Sequence, residues 1–247
     1  MTKFCIFTTP RTGSTLLVKS LDAHPEIVCA GELFFFKGDI FHNEYKFPFW
    51  NISFLPAKIN YVINYPKIWL TLSSFMQKFF SSEDRNLKAK GFKLMQFQTY
   101  YTPGILDYLK KDNIKVIVLI RKNVLRNTLS DLRARHSGVY HNENGVKVAA
   151  KFSVNLEELG KKMQQIEGFN RQLEKQTEGM NRKIVYYEDF ENWDAAMDDI
   201  LKYLEVKNTQ VTAASKKLNP ENLSDMIENY DEFSMWLQQK GYSKYAE

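Results

Sequence analysis

Cysteine and glycine are scarce in this sequence, and it has no long uninterrupted apolar run. Its 247 residues include two cysteines, Cys5 and Cys29. Two thiols exclude a disulfide-dense secreted scaffold and a four-thiolate metal site, and the simple expectation is buried thiols in a reducing compartment. The longest largely apolar stretch, Tyr61–Phe80, is broken by Asn64, Pro66, Lys67, Gln77 and Lys78, so it does not read as a membrane span. Met1–Phe7 runs directly into a turn at Thr8–Gly13, without the apolar run and small-residue cleavage site of a secretory signal. A soluble, cytoplasmic protein is the expectation. Glycine, at 11 residues, lies below the usual ~7%, and neither a low-complexity linker nor a fixed repeat is visible. The cation excess is small, 34 Lys and Arg against 29 Asp and Glu for a net charge of +5. It suits an anionic ligand but is too weak to mark a nucleic-acid partner.

Hydrophobic residues make up 44% and charged residues 26%, which is ordinary for a globular chain. The length allows one α/β domain or two small ones. Strands are predicted at Lys3–Thr8, Gly91–Met95, Lys115–Ile120 and Lys183–Tyr187. Helices are predicted at Ser14–Ala23, Thr102–Lys111, about Val124–Arg135, Val148–Glu174 and Trp193–Leu204. This alternation implies an α/β fold, a central parallel sheet with helices on both faces. With no linker in view, residues 1–247 read as one domain with an insertion at about Leu33–Asn86. Fifteen aromatic residues crowd positions 33–80, among them Phe34, Phe47, Trp50, Trp69 and Phe79.

The first predicted strand ends in Thr8-Thr9-Pro10-Arg11-Thr12-Gly13-Ser14-Thr15 and a helix follows at once. Turn N–H groups and the unpaired first helical turn converge at such a junction, and the helix dipole favours an anion there. Against the Walker pattern G-x-x-x-x-G-K-[ST], Gly13 and Thr15 are kept, but Thr8 replaces the first glycine and Ser14 the lysine. The cation stands at Arg11 instead. A plain strand–helix turn with a Ser or Thr cap is the alternative reading of the loop.

After the strand Lys115–Ile120, a nucleoside triphosphatase would place an aspartate for magnesium. Here the chain continues Arg121-Lys122-Asn123-Val124-Leu125-Arg126-Asn127-Thr128-Leu129-Ser130. Carboxyl ends of parallel strands face the ligand crevice, and arginine there suits a second phosphate. Arg126 and Ser130, four apart, share one helical face. Five cations (Arg121, Lys122, Arg126, Arg133, Arg135) meet only Asp131 within residues 121–136.

These residues resemble the sulfotransferases that use 3′-phosphoadenosine 5′-phosphosulfate (PAPS), and in particular the bacterial carbohydrate branch of trehalose and nodulation-factor enzymes. Pro10–Leu17 is similar to that family's P-R-[ST]-G-S-T-L-L, which binds the 5′-phosphosulfate. Arg121, Arg126 and Ser130 match its R-x-x-x-x-R-x-x-x-S string for the 3′-phosphate, with Lys122 open as the alternative to Arg121. Ser130–His141, Val185–Phe190 and Leu223–Tyr230 continue the likeness. The resemblance implies a P-loop-type sheet and metal-independent, in-line sulfuryl transfer from PAPS. Pro10, Arg11, Thr12, Gly13, Ser14, Thr15 and Leu16 would hold the donor with Arg121, Arg126 and Ser130, and Arg11 would stabilise leaving-group charge. It also implies that Arg133, Arg135, Tyr140 and His141 line the cleft.

The related enzymes carry G-E-[LP]-x-F, whose glutamate is proposed to deprotonate the acceptor, and Gly31-Glu32-Leu33 matches it. Between Gly31 and the apolar Leu33–Phe36, Glu32 is expected to be partly desolvated, with a pKa raised toward neutrality. A turn-capping glutamate is the structural alternative. His24 is the competing base, although its position before Pro25 favours a capping role. Glu188 and Asp189 are expected to cap the helix near Trp193 or hold a cation.

The acceptor implied is a hydroxyl compound, a carbohydrate or glycolipid. Three roles stay open for the aromatic insertion: an acceptor wall or lid, the core of a helical subdomain, or a peripheral membrane contact through residues 61–80. No nucleic-acid partner is expected, and a homodimer is compatible with the sequence. A P-loop small-molecule kinase and an inactive nucleotide-binding protein are the alternatives, the first opposed by Ser14 and Arg121.

Overall fold

Five short apolar runs form five parallel strands in the computed structural model, which describes residues 1–35, 45–48, 57–81, 86–138, 151–207 and 222–246, with backbone alone at 57–65 and 67. The strands are β1 (Thr2–Thr8), β2 (Ile27–Glu32), β3 (Ala89–Met95), β4 (Lys115–Ile120) and β5 (Arg182–Tyr186), in the order β2-β3-β1-β4-β5. All four pairings are parallel, as expected. Every residue of β3 is buried, the pattern of a strand covered on both faces. Gly91 is needed there because a Cβ would stand 2.4 Å from the Phe4 ring on the neighbouring strand.

Alternation along the strands sends side chains into two layers. On one face Phe4, Ile6, Ile117 and Leu119 pack against α1 (Ser14–Asp22) and α6 (Trp193–Leu204). On the other, Phe7, Phe92, Leu94, Val116 and Val118 meet α2 (Ala57–Phe80), α3 (Ile105–Lys111) and Leu173 of α5 (Leu156–Gln176). A third cluster joins α4 (Val124–Ser137), α5 and α7 (Tyr230–Lys240) through Leu125, Leu129, Leu159, Met163, Phe233 and Leu237.

Several boundaries differ from the sequence expectation for local reasons. The segment Thr102–Gly104 turns before α3, with Gly104 at φ 88°. The long predicted helix begins only at Leu156, where the Asn155 side chain accepts from the Glu158 N–H. Before it, Phe152 forms a parallel bridge with Ile227. The strand β2 and helices α2 and α7 were not among the predicted elements. Pro66, read as an interruption, lies within α2. Among the described residues, no helix is long and apolar enough to cross a membrane.

The insertion's described aromatics are mostly core. Phe34, Phe47, Phe79 and Phe80 are buried, with Phe34 and Phe47 at 5.1 Å between ring centres and Phe79 edge-on to Phe92 at 5.8 Å. Phe36, Phe41, Phe49, Trp50 and Phe54 lie outside the described residues.

Candidate active site

Parallel strands deliver their carboxyl ends to one edge of the sheet. In strand order that edge presents Glu32 on β2, Met95 leading into Gln96 on β3, Thr8 and its loop on β1, Ile120 leading into Arg121 on β4, and Tyr186 leading into Tyr187 on β5. At about 4.8 Å per strand, Glu32 stands two strands to one side of the loop and the arginine cluster begins one strand to the other.

The loop Thr9–Gly13 is held from below. The Thr8 hydroxyl lies 2.8 Å from the Leu119 carbonyl and 2.6 Å from the Thr12 hydroxyl, which is 3.0 Å from the Thr9 carbonyl. Thr12 is fully buried, so its side chain braces the loop. Arg11 and Gly13 both adopt left-handed backbone angles, φ 63° and 77°. Gly13 opens α1 without a side-chain cap, and the first helical bond runs from Leu17 N–H to the Gly13 carbonyl at 3.1 Å. The N–H groups of Ser14, Thr15 and Leu16 therefore have no intrahelical acceptor, which is the arrangement an anion needs.

The loop and the β4 cations, two separate segments in sequence, form one cluster. Arg11 Nε donates to Ser130 Oγ at 3.0 Å, and Arg121 Nη1 donates to the Arg11 carbonyl at 3.2 Å. Asn127 Nδ2 ties α4 to the Pro10 carbonyl at 3.3 Å. Arg126 Nη2 reaches the Ala246 carbonyl at 3.5 Å. Burial lowers the Arg121 pKa; Arg126 and Arg11 act in the same direction, while Tyr187 and Glu188 oppose them. A guanidinium remains charged under such pressure, so the cluster keeps concentrated positive potential.

Tyr187 lies against both halves. Its ring centre is 4.4 Å from the Arg121 guanidinium carbon, and a Cβ on Gly13 would stand 2.6 Å from its Cδ2. Lys122, by contrast, is exposed and sets its ammonium 3.5 Å from the Tyr186 ring centre. Arg121 is thus the cation directed at the loop.

Glu32 is not in the apolar setting expected of it. Its Oε1 pairs with the buried Lys93 ammonium at 2.9 Å, and its Oε2 accepts from Gln98 Nε2 at 2.8 Å. Gln98 Oε1 accepts from Met95 N–H at 3.0 Å, which fixes the amide's orientation. His24 sits before β2, at the opposite edge of the sheet. Its Nδ1 accepts from Glu26 N–H at 3.1 Å and its Nε2 donates to the Lys207 carbonyl at 3.2 Å. It serves the chain turn, not this edge.

Glu188 also differs from expectation. It accepts from the Lys122 and Asn123 N–H groups at 3.1 and 2.9 Å, stabilising the turn from β4 into α4. Asp189 accepts from Tyr186 N–H at 2.9 Å, and the helix at Trp193 is capped by Asn192 instead, which accepts from Ala195 N–H at 3.4 Å. Arg133 is buried, which lowers its pKa, and Arg135 pairs with Asp131 at 2.8 Å. Tyr140 and His141 lie outside the described residues. Among the described residues, no cluster of three His, Cys, Asp or Glu could hold a metal ion.

No protein-family model matches the chain, and no curated protein sequence matches it. In structure, it aligns with the sulfotransferase of Alicyclobacillus acidocaldarius at a TM-score of 0.50 and 15% identity, over 96% of this chain and 93% of that one. The fold is a sulfotransferase fold. A mouse sulfotransferase complexed with PAP aligns at a TM-score of 0.44 and 11% identity, over 85% of this chain and 60% of that one. The sulfotransferase domain of the Synechococcus PCC 7002 olefin synthase aligns at 0.47 and 15%, over 95% and 86%.

Within this sulfotransferase fold, the residues that sequence reasoning missed are partners of those it found. Lys93 and Gln98 hold Glu32, and Asn127 and Tyr187 hold the loop. Lys93 could have been suspected as a charge inside an apolar strand. Tyr187 lies inside the Val185–Phe190 block of the likeness, but its contact with Gly13 depends on the whole sheet order.

Proposed function

We propose that this chain is a sulfotransferase that moves a sulfuryl group from PAPS to a hydroxyl of a carbohydrate, glycolipid or similar small acceptor. The observation that supports it is the single cluster of Arg11, Arg121 and Ser130, which joins the loop to the β4 end. A donor with phosphate at both ends of a nucleoside needs two such anion sites side by side. The buried Arg121 Nε has no hydrogen-bond partner among the described residues, as suits a group awaiting an anion.

In this reading the N–H groups of Ser14, Thr15 and Leu16, with the Thr15 hydroxyl, hold the 5′-phosphosulfate. Pro10, Thr12 and Gly13 shape the loop around it. Arg121, Arg126 and Ser130 take the 3′-phosphate. The donor supplies the sulfuryl group. Arg11 and the loop N–H groups stabilise the charge that collects on the leaving phosphate. Glu32 takes the acceptor's hydroxyl proton as that oxygen forms its bond to sulfur and the bond from sulfur to the donor phosphate breaks. Lys93 and Gln98 keep the carboxylate fixed for this step. The chemistry assigns no role to a metal ion. Residues 1–247 act as one catalytic unit in this reading, and the buried thiols Cys5 and Cys29, not joined in a disulfide, suit the cytoplasm.

The test is transfer of labelled sulfate from PAPS to a panel of saccharides in the presence of EDTA. Labelled saccharide is the expected product. No transfer to any hydroxyl acceptor, with labelled donor intact, contradicts the proposal.

A further inference from the structure

The short 3₁₀ turn Gln96–Tyr100 leaves β3 directly beside the phosphate loop, since Met95 pairs in register with Thr8. Its inward side is polar and buried: Gln96, Gln98 and Thr102 are at most 2% exposed. Phe97 and Tyr100 are instead 38% and 58% exposed. They are three residues apart, a spacing that stacks side chains on one side of a 3₁₀ turn. The same turn contacts the candidate base, because Gln98 donates to Glu32. The described aromatics of the insertion are mostly packed into the core, whereas this turn carries an exposed aromatic pair beside the site.

We infer that Phe97 and Tyr100 form the acceptor platform and seat the apolar face of a sugar ring beside Glu32. The inference rests on the sulfotransferase reading and locates its acceptor. Aromatic faces suit a ligand that is apolar on one face and hydroxylated at its rim. On the exposed side Thr99 is half-buried and Tyr101, next to Tyr100, is 42% exposed, so hydroxyl-bearing side chains flank the two rings. Gln98 of this turn donates to Glu32 at the end of the neighbouring strand, so a ring held on Phe97 and Tyr100 brings a rim hydroxyl toward the Glu32 carboxylate, two strands from the loop.

The experiment is saturation-transfer NMR on the full chain with adenosine 3′,5′-bisphosphate present, titrating methyl β-D-glucopyranoside and, separately, 1-octanol. Wild type should saturate the ring C–H protons of the glucoside. Phe97→Ala and Tyr100→Ala should each weaken that affinity about three- to tenfold, and Tyr100→Phe should retain it. Thermal stabilisation by the bisphosphate should be unchanged in all three variants, which reports that the fold and donor site are intact. Undiminished glucoside binding by both alanine variants overturns the platform. So does preferential saturation of octanol, or no glucoside signal from a wild type that the bisphosphate stabilises. A wild type that the bisphosphate does not stabilise overturns the sulfotransferase reading, and the platform with it.

Discussion

The Arg121 guanidinium carbon lies 4.4 Å from the centre of the Tyr187 ring, and the same ring covers the position where Gly13 has no side chain. The contact links the end of β5 to both the β4 cation and the phosphate loop. A cation–π contact of this kind is worth about 0.5–2 kcal/mol. Tyr187→Leu should therefore weaken binding of adenosine 3′,5′-bisphosphate by roughly 2- to 30-fold, whereas Tyr187→Phe should bind nearly as wild type. Isothermal titration gives both values. The same titration should rank Arg121→Met far below Lys122→Met, because only Arg121 is directed at the loop.

Gly13→Ala should be more damaging than its size suggests. Its Cβ would need the space of the Tyr187 ring at 2.6 Å, at a φ of 77°. Left-handed strain alone costs about 1–3 kcal/mol, and the ring is held by Arg121. A lower melting temperature and lost stabilisation by the bisphosphate are expected. Gly138→Ala, also at positive φ but with nothing within 4 Å of the added carbon among the described residues, is the control for strain without collision.

Glu32→Gln should lower kcat by about 10²–10⁴ and leave bisphosphate affinity unchanged, since Glu32 lies two strands from the loop. Steady-state kinetics beside a binding titration separates the two effects. The variant leaves the Lys93 ammonium buried without its carboxylate, so a lower melting temperature is expected as well. Glu32→Gln/Lys93→Met removes both charges and should recover part of that stability without recovering kcat.

Burial raises the Cys5 thiol pKa well above the usual cysteine value. The thiolate fraction at any pH near neutrality is correspondingly smaller, and Cys29 is also fully buried. Neither thiol should react with Ellman's reagent at pH 8 until the protein is unfolded. Adding guanidinium chloride should release both together, and rapid reaction of the native protein would contradict the packing described.

The local signals in the sequence were strong where burial is continuous. Lys115–Ile120 is fully apolar between its first residue and the arginine that follows, and β4 has those bounds. Ser14 as the start of α1 was legible from the loop before it. The strand β2 was not, because Ile27–Glu32 is short, contains Gly31 and lies beside a bulge between Ala30 and Glu32. The loop and Arg121 were each legible as candidate anion sites, but their union through Arg11 and Ser130 arises from β1 and β4 being neighbours, which no local pattern records. Glu32 was found by its motif and misjudged in its surroundings, because Lys93 is 61 positions away in sequence and adjacent in the sheet register.

In the proposed function, the cluster of Arg11, Arg121, Arg126 and Ser130 with the loop N–H groups holds a nucleotide phosphorylated at both the 3′ and 5′ positions. A thermal-shift comparison of adenosine 3′,5′-bisphosphate with ATP plus magnesium tests it most directly. At a hundred times its Kd, the bisphosphate adds about 2.7 kcal/mol, roughly 5–10 °C for a chain of this size. That rise is expected with the bisphosphate, lost in Arg121→Met, with no comparable rise from ATP and magnesium. Stabilisation by ATP and magnesium but not by the bisphosphate would contradict it.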